Sequence, residues 1–186
     1  MRERAVKSID EILALSFKYM TEHGLENTSI RDLAQGTGMS LGSIYYWFED
    51  KDDLVLNSVK YGLAKSSMRI FTNAFEVIED LEKFIENVLE LVREEQKALR
   101  TVFQAATSPV YGDAIRKNST TLNGTYDEYI NALSRKVNIS YEELRPIVYL
   151  FVATVLDYVV WDDQEFSKSQ IQYIYQILLS KIKTYN

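Results

Sequence analysis

The strongest indication of the fold comes from the stretch between Thr28 and Leu54, which reads TSIRDLAQGTGMSLGSIYYWFEDKDDL. Its apolar residues follow helical spacing in two short segments, and Gly38 lies in the turn between them. Thr28 and Ser40 precede the two segments and are residue types that cap helix N-termini. Ile44 falls on the inward face of the second segment. The stretch therefore predicts a helix, a tight turn and a second helix.

Glycine and proline are scarce along the whole chain. Its 186 residues include only 7 Gly and 2 Pro, and no hairpin signal or strict β alternation stands out. We therefore expect an all-α protein of about nine helices. A three-helix helix-turn-helix unit would come first, joined by a long helix to a C-terminal helical bundle.

Local capping signals suggest where several helices begin. Asp50 is expected to cap the long fourth helix, which would run to about residue 75. Ser140 and Ser167 each precede a Glu or Gln by three residues, which is the spacing of a capping box. These two serines are expected to open the last two helices.

Composition excludes several classes of protein. With no cysteine the chain has no disulfide, thiol nucleophile or thiolate metal site. The N-terminal residues carry charges throughout and have no apolar signal core. The longest apolar stretch, residues 147–161, is shorter than the roughly 20 residues that span a bilayer. We expect a buried helix there and a soluble, cytoplasmic protein.

The net charge of −6 weighs against binding nucleic acid. Phosphate responds to the local field, however, because salt screens charges beyond about 8 Å. A small set of cations on one face would therefore suffice for placed contacts. The candidates are Arg2, Arg4, Lys7, Arg31 and Lys51.

The last two predicted helices have the pattern of an association surface. Residues 147–160 are apolar almost all round, and residues 171–182 repeat apolar positions every three or four residues. A helix that is apolar on every side needs neighbours on every side. Two-fold pairing through these helices is expected; the alternative is an ordinary monomeric core.

Residues 28–54, with the preceding FKYMTEHGLENTS, resemble the tetracycline-repressor (TetR) family of bacterial transcriptional regulators. The matching motifs are TSIRDLAQGTGMS, LGSIYYWF and FEDKDDL, and the resemblance is close over residues 5–60. It implies a DNA-binding domain at residues 1–60 and an effector-binding and dimerisation domain at residues 61–186. It also implies a homodimer that reads a palindromic operator, most often as a repressor.

The resemblance assigns roles to single residues. Thr28 and Ser29 would meet phosphate, and Arg31 would reach a base edge or a phosphate. The leading edge of the recognition helix would be Ser40, Leu41, Gly42 and Ser43. Gly42 would let the backbone approach DNA closely, with Ser43 and Tyr45 as base or phosphate contacts. Tyr46 and Lys51 would bind phosphate.

Leu41 departs from the family pattern, since many relatives carry Lys or Arg there. It would pack on a thymine methyl group instead, which alters operator preference. Other residues also have structural readings: Trp47 and Phe48 favour the core over DNA, and Thr28, Ser40 and Asp50 are helix caps first.

No constellation in the sequence indicates an enzyme. His23 is the only histidine and is expected at the end of the first helix, beside Gly24. There is no Glu-x-x-His pair, phosphate-binding glycine loop or nucleophile elbow. We expect no catalytic residue, metal ion or cofactor.

The resemblance also implies a small-molecule effector that releases DNA. The bundle is rich in aromatic residues, which suits an apolar pocket for an apolar or aromatic ligand. Candidate pocket residues are Phe103, Tyr126, Tyr129, Tyr149, Asp157 and Trp161. Core or dimer-interface roles are equally compatible with them. Effector binding would shift the fourth helix and change the spacing of the two recognition helices.

A second class of function stays open at this point. The acidic charge and Leu41 are compatible with an all-helical protein-interaction module whose helix-turn-helix no longer binds DNA. Gly42, Ser43, Tyr46 and Lys51 favour the DNA-binding regulator.

Overall fold

The computed structural model describes residues 8–117 and 119–184, which form nine α-helices and no β-strand. The helices are α1 Ile9–His23, α2 Ile30–Thr37, α3 Leu41–Trp47, α4 Lys51–Glu76, α5 Leu81–Thr107, α6 Gly112–Lys117, α7 Ser119–Val137, α8 Tyr141–Trp161 and α9 Gln164–Thr184. The predicted all-helical class is confirmed. The long fourth helix also has the predicted length. It contains no proline, and its one glycine, Gly62, does not end it.

Two compact units make up the chain, and each contains two stretches of sequence. The first is Met1–Lys65 with Lys97–Asn118, and the second is Ser66–Gln96 with Ser119–Asn186. The units therefore do not follow a single boundary at residue 60, since part of α5 and all of α6 belong with the N-terminal helices. The functional division into residues 1–60 and 61–186 stays a prediction.

The first unit is built around apolar side chains from α1 to α4. Ile44 and Phe48 are buried as predicted, together with Phe17 and Leu33, whereas Ile30 is only half-buried. Further core side chains are Ile12, Met20, Leu54 and Val55. This core holds α2 and α3 in a fixed arrangement.

The start of α2 differs from the prediction by one residue. Ser29, not Thr28, is the N-cap: its hydroxyl accepts from the Asp32 amide, and the Asp32 carboxylate accepts from the Ser29 amide. Thr28 is buried and donates its hydroxyl to the Gly24 carbonyl at 2.6 Å. The prediction of Thr28 as the cap was wrong because the Ser29–Asp32 pair forms a reciprocal capping box.

The second unit has an aromatic core. Phe71 and Phe75 of α4 approach Phe151 of α8 with ring centroids 5.5 and 5.7 Å apart. Phe84 of α5 joins them and contacts Tyr175 of α9 at 5.5 Å. The buried Tyr175 hydroxyl donates to the Ile78 carbonyl at 2.6 Å, so this buried polar group has a hydrogen-bond partner.

The last two helices begin differently from one another. Ser140 caps α8 as predicted, accepting from the Glu143 amide. The final helix, in contrast, starts at Gln164, where Asp163 accepts from the Phe166 amide at 3.0 Å. Ser167 is fully buried inside α9, so its predicted capping role was wrong.

One helix of the described ranges, α8, is long and apolar enough to cross a membrane by length and composition. Buried residues make up 44% of its most apolar window, and core helices of soluble proteins pass the same test. The helix packs against α7 and α9.

Candidate nucleic-acid interface

The turn between α2 and α3 is formed by a left-handed glycine. Gly38 has φ 69° and ψ 20°, and its amide donates to the carbonyls of Ala34 and Gln35 at the end of α2. A residue with a side chain rarely adopts this conformation, which explains the glycine. Ser40 then caps α3 by accepting from the Ser43 amide at 3.1 Å. The helix, turn and helix predicted from the sequence are confirmed.

Most of α3 faces away from the core. Ile44 is its only buried side chain, whereas Tyr45 is 52% and Tyr46 79% exposed. Phe48 directly follows the helix and is buried, as predicted. Trp47 is exposed and packs edge-on against Tyr46, with ring centroids 5.1 Å apart. Its predicted core role was therefore wrong: it adds aromatic surface beside Tyr46.

Gly42 leaves open space at the leading edge of α3. A Cβ atom at this position would meet only the Ser40 hydroxyl, at 4.0 Å. Gly36 and Gly62 differ, because a Cβ there would overlap the rings of Tyr19 and Phe17. The packing of the first unit therefore explains Gly36 and Gly62 but gives no reason for Gly42.

Cations and small polar residues flank α3. Arg31 is exposed on α2, and Lys51 is half-buried in the first turn of α4. Ser43 is exposed and shares a hydrogen bond with Ser40, whereas Leu41 is half-buried. Arg2, Arg4 and Lys7 lie outside the described residues. Thr28 is buried, so its hydroxyl does not face solvent as its predicted phosphate contact would require.

Nearby acidic residues serve as helix caps. The hydroxyl and the backbone amide of Ser29 donate to the Asp32 carboxylate and hold the pKa of this group below its usual value. Asp50 accepts from the Asp53 amide at 2.8 Å, which confirms its predicted role at the start of α4. Asp53 in turn accepts from the Glu49 amide. These acids stabilise positive helix N-termini, which offsets part of the acidic charge near α3.

The residues predicted for an effector pocket separate into two groups. Tyr126 and Tyr129 both pack on Phe71, with ring centroids 5.6 and 5.0 Å away, and Tyr149 lies 6.0 Å from Tyr126. Burial raises the pKa of the Tyr126 hydroxyl, and a hydrogen bond with Ser67 opposes that shift. The three tyrosines therefore form one aromatic cluster in the second unit.

The other three pocket candidates do not join this cluster. Trp161 is 74% exposed, and Asp157 is half-buried on the same face of α8 as Trp161. Phe103 is exposed and belongs to the first unit. Sequence reasoning missed Phe71 and Phe75, which connect the aromatic cluster; their spacing of four residues on α4 was the available signal.

Residues 12–57 match the family model described as bacterial regulatory proteins, tetR family. The regulator PksA of Bacillus subtilis is 28% identical over 90 residues, which are 48% of this chain and 44% of that protein. The repressor AcnR of Corynebacterium efficiens is 31% identical over 104 residues, covering 53% of this chain and 54% of its own length. The aligned region thus spans about half of these relatives.

The fold has solved counterparts over nearly the whole chain. A transcriptional regulator from Rhodococcus sp. Rha1 superposes with a TM-score of 0.56 at 20% identity, covering 93% of this chain and 97% of that one. The fatty acid degradation regulator FadR from Bacillus halodurans gives 0.54 at 16% identity, covering 93% and 96%. These relatives are regulators and not enzymes, in agreement with the sequence. The helix-turn-helix geometry and the matched family model thus assign residues 12–57 to a helix-turn-helix domain of the TetR family of bacterial transcriptional regulators.

Proposed function

We propose that this chain is a cytoplasmic DNA-binding repressor that binds a palindromic operator as a homodimer and is released by a small-molecule effector. The outward face of α3 carries the proposal. It combines two exposed tyrosines with a glycine that the protein's own packing does not require. A surface of this kind suits close approach to another macromolecule.

In the proposed complex, the N-terminal half of α3 lies in the major groove. The missing side chain at Gly42 brings the helix backbone close to the base edges, and Ser43 and Tyr45 contact bases or phosphates. Leu41 packs on a thymine methyl group, a contact that replaces hydrogen-bond readout at that position. Operator preference thus comes from a few short side chains.

Phosphate contacts hold the helix in register. Tyr46 donates its exposed hydroxyl to a phosphate oxygen, and Lys51 supplies a charge at the start of α4. Ser29 and the N-terminus of α2 offer a second phosphate contact, and Arg31 reaches a phosphate or a base from the same helix. With few cations, binding depends on placed contacts and not on a broad basic field.

The homodimer would form through α8 and α9. Leu150 and Trp161 lie on one exposed face of α8, at 52% and 74% exposure. Phe166 and Tyr173, seven residues apart, share a face of α9 and are also exposed. A two-fold axis beside these faces would bury them in a four-helix interface. Asp157, on the same face of α8, would then lie near the partner.

Release by an effector would act through α4, which contributes residues to both compact units. A ligand bound in the second unit would displace this helix. Two recognition helices must match half-sites about 34–36 Å apart, so a small change in their spacing breaks simultaneous contact.

Footprinting on the genomic region upstream of the gene, at two salt concentrations, tests the proposal. We expect a palindromic footprint that weakens steeply with salt. Lys51→Ala should lower the salt-dependence slope by about one, and Tyr46→Phe should weaken binding without unfolding the protein. Lys168→Ala on α9 and Tyr61→Phe on α4, which lie outside the proposed DNA and dimer interfaces, are the matched controls.

An interaction module that no longer binds DNA is the competing function, favoured by the net charge of −6. It predicts no protection at either salt concentration and no effect of Tyr46→Phe or Lys51→Ala. That result would contradict the proposed repressor function.

A further inference from the structure

An open cleft lies between the last turns of α4 and the middle of α7, within the second unit. Its volume is about 260 Å³. It is lined by Phe71 and Phe75 of α4 and by Tyr129 and Leu133 of α7. Of the residues predicted for an effector pocket, only Tyr129 lies here.

The cleft has flat aromatic walls. The rings of Phe71 and Tyr129 are nearly parallel, at 14° with centroids 5.0 Å apart, although they come from different helices. Phe75 stacks on Phe71 at 24° and 5.6 Å. These rings stack on one another and leave no room between them, so a planar guest would lie against the outer face of the stack, where offset stacking adds to the free energy of burying its apolar surface.

The rim of the cleft is polar but balanced in charge. Lys136 donates its ammonium group to the Phe75 carbonyl at 2.8 Å, and the carboxylate of Glu76 lies on the same rim. Thr72 and Tyr129 contribute neutral hydroxyl groups, and burial raises the pKa of the Tyr129 hydroxyl, which keeps it protonated. Because charges of both signs flank the opening, an uncharged guest with a hydrogen-bonding group suits it best.

Volume limits the size of the guest. An apolar cavity of about 150 Å³ holds one benzene ring, and drug-sized ligands occupy roughly 300–1,000 Å³. The cleft falls between these values, which corresponds to about two fused rings. Beneath it, Phe75 and Leu133 also line an internal apolar gap of about 10 Å³, which is too small for a ligand.

The larger groove between α5 and α9, of about 640 Å³, is a weaker candidate. Its walls carry Glu82, Glu86, Glu90, Arg93 and Lys168, and it contains no aromatic ring. Leu81, Ile85 and Leu89 also line the groove, but without an aromatic ring it offers a planar guest no surface to stack on.

We propose that the α4–α7 cleft binds a flat, uncharged aromatic molecule of about two fused rings that carries a hydroxyl or similar group. As the effector site it rests on the function proposed above, since its ligand would act on the C-terminal turns of α4. Of the six residues predicted for the effector pocket it keeps Tyr129, and it adds Phe71 and Phe75.

Calorimetric titration of the full chain with 2-naphthol tests the site directly. Ala132→Phe places a ring in the cleft from an exposed position that lines it, and we expect at least tenfold weaker binding. Asn131→Phe adds the same ring at the adjacent exposed position, which does not line the cleft, and should bind as the unchanged protein does. Thermal unfolding verifies that both variants are folded.

Phenol and 9-phenanthrol, with one and three rings, test the size limit, and both should bind more weakly than 2-naphthol. Operator binding is measured in parallel, with and without 2-naphthol. If 2-naphthol shows no saturable binding, or if Ala132→Phe binds it equally well, the cleft is not the ligand site, even if the protein binds DNA. Binding of 2-naphthol that leaves operator affinity unchanged overturns its effector role. If the protein binds no operator, the proposed function is wrong. Ligand binding in the cleft is not affected by that result, because the titration alone tests it.

Discussion

Gly62 of α4 lies directly against the ring of Phe17 of α1. A Cβ atom at Gly62 would overlap three atoms of this ring, which is itself buried. The two helices of the first unit thus pack at a distance that only glycine permits, and the core beneath α2 and α3 depends on that approach.

Gly62→Ala should destabilise the protein despite a better helix former in mid-helix. Forcing a methyl group into a packed core costs about 1–3 kcal/mol, which exceeds the gain of up to about 1 kcal/mol in helix propensity. Urea denaturation should show a net loss of about 1 kcal/mol or more. Unchanged or higher stability would mean that the Phe17 ring can turn aside freely.

Gly42→Ala should have the opposite effect on folding. The new methyl group meets only the Ser40 hydroxyl at 4.0 Å, so alanine gains helix propensity without overlap. We expect stability equal to or slightly above that of the unchanged protein, with at least tenfold weaker operator binding by fluorescence anisotropy. Full operator affinity in this variant would refute close approach of the backbone to DNA at Gly42.

The capping box at α2 predicts an acid-sensitive contribution to stability. Hydrogen bonds from Ser29 hold the pKa of Asp32 below its ordinary value of 3.8. The folded state therefore prefers the charged carboxylate, so its contribution is complete above about pH 4 and is lost as pH falls through the lowered pKa. Melting temperatures of the unchanged protein and Asp32→Ala should differ most at about pH 6 and approach each other as the pH falls below 3.8. A difference that does not depend on pH would contradict the role of the carboxylate.

Leu150→Glu should prevent dimer formation. Leu150 is half exposed on the apolar face of α8, so a charge there costs little in a monomer but would be buried without a partner in the proposed interface. Mass measurement at micromolar concentration should give about the single-chain value of 21.6 kDa, against twice that value for the unchanged protein. Met68→Glu, an exposed apolar position on α4, is the control and should stay dimeric. A Leu150→Glu protein that still dimerises would place the interface elsewhere.

Local signals were sufficient at three of the predicted helix caps. Ser40, Asp50 and Ser140 cap helices as the sequence predicts, because each bonds to an amide only three residues away. The same reasoning failed at Ser167, which has the spacing of a cap but is buried within α9. A capping pattern also occurs by chance inside a helix, and local sequence does not register burial.

The amino-acid sequence was enough to predict the helix-turn-helix, the all-helical class and the resemblance of residues 12–57 to the TetR family. These follow from periodicity and from short-range bonds such as the left-handed turn at Gly38. The exposure of Trp47 beside Tyr46 and the stacking of Phe71 on Tyr129 across two helices became visible only in the folded chain. The reason is physical: helical spacing assigns a residue to a face of its own helix, but which faces meet depends on packing between segments far apart in the chain.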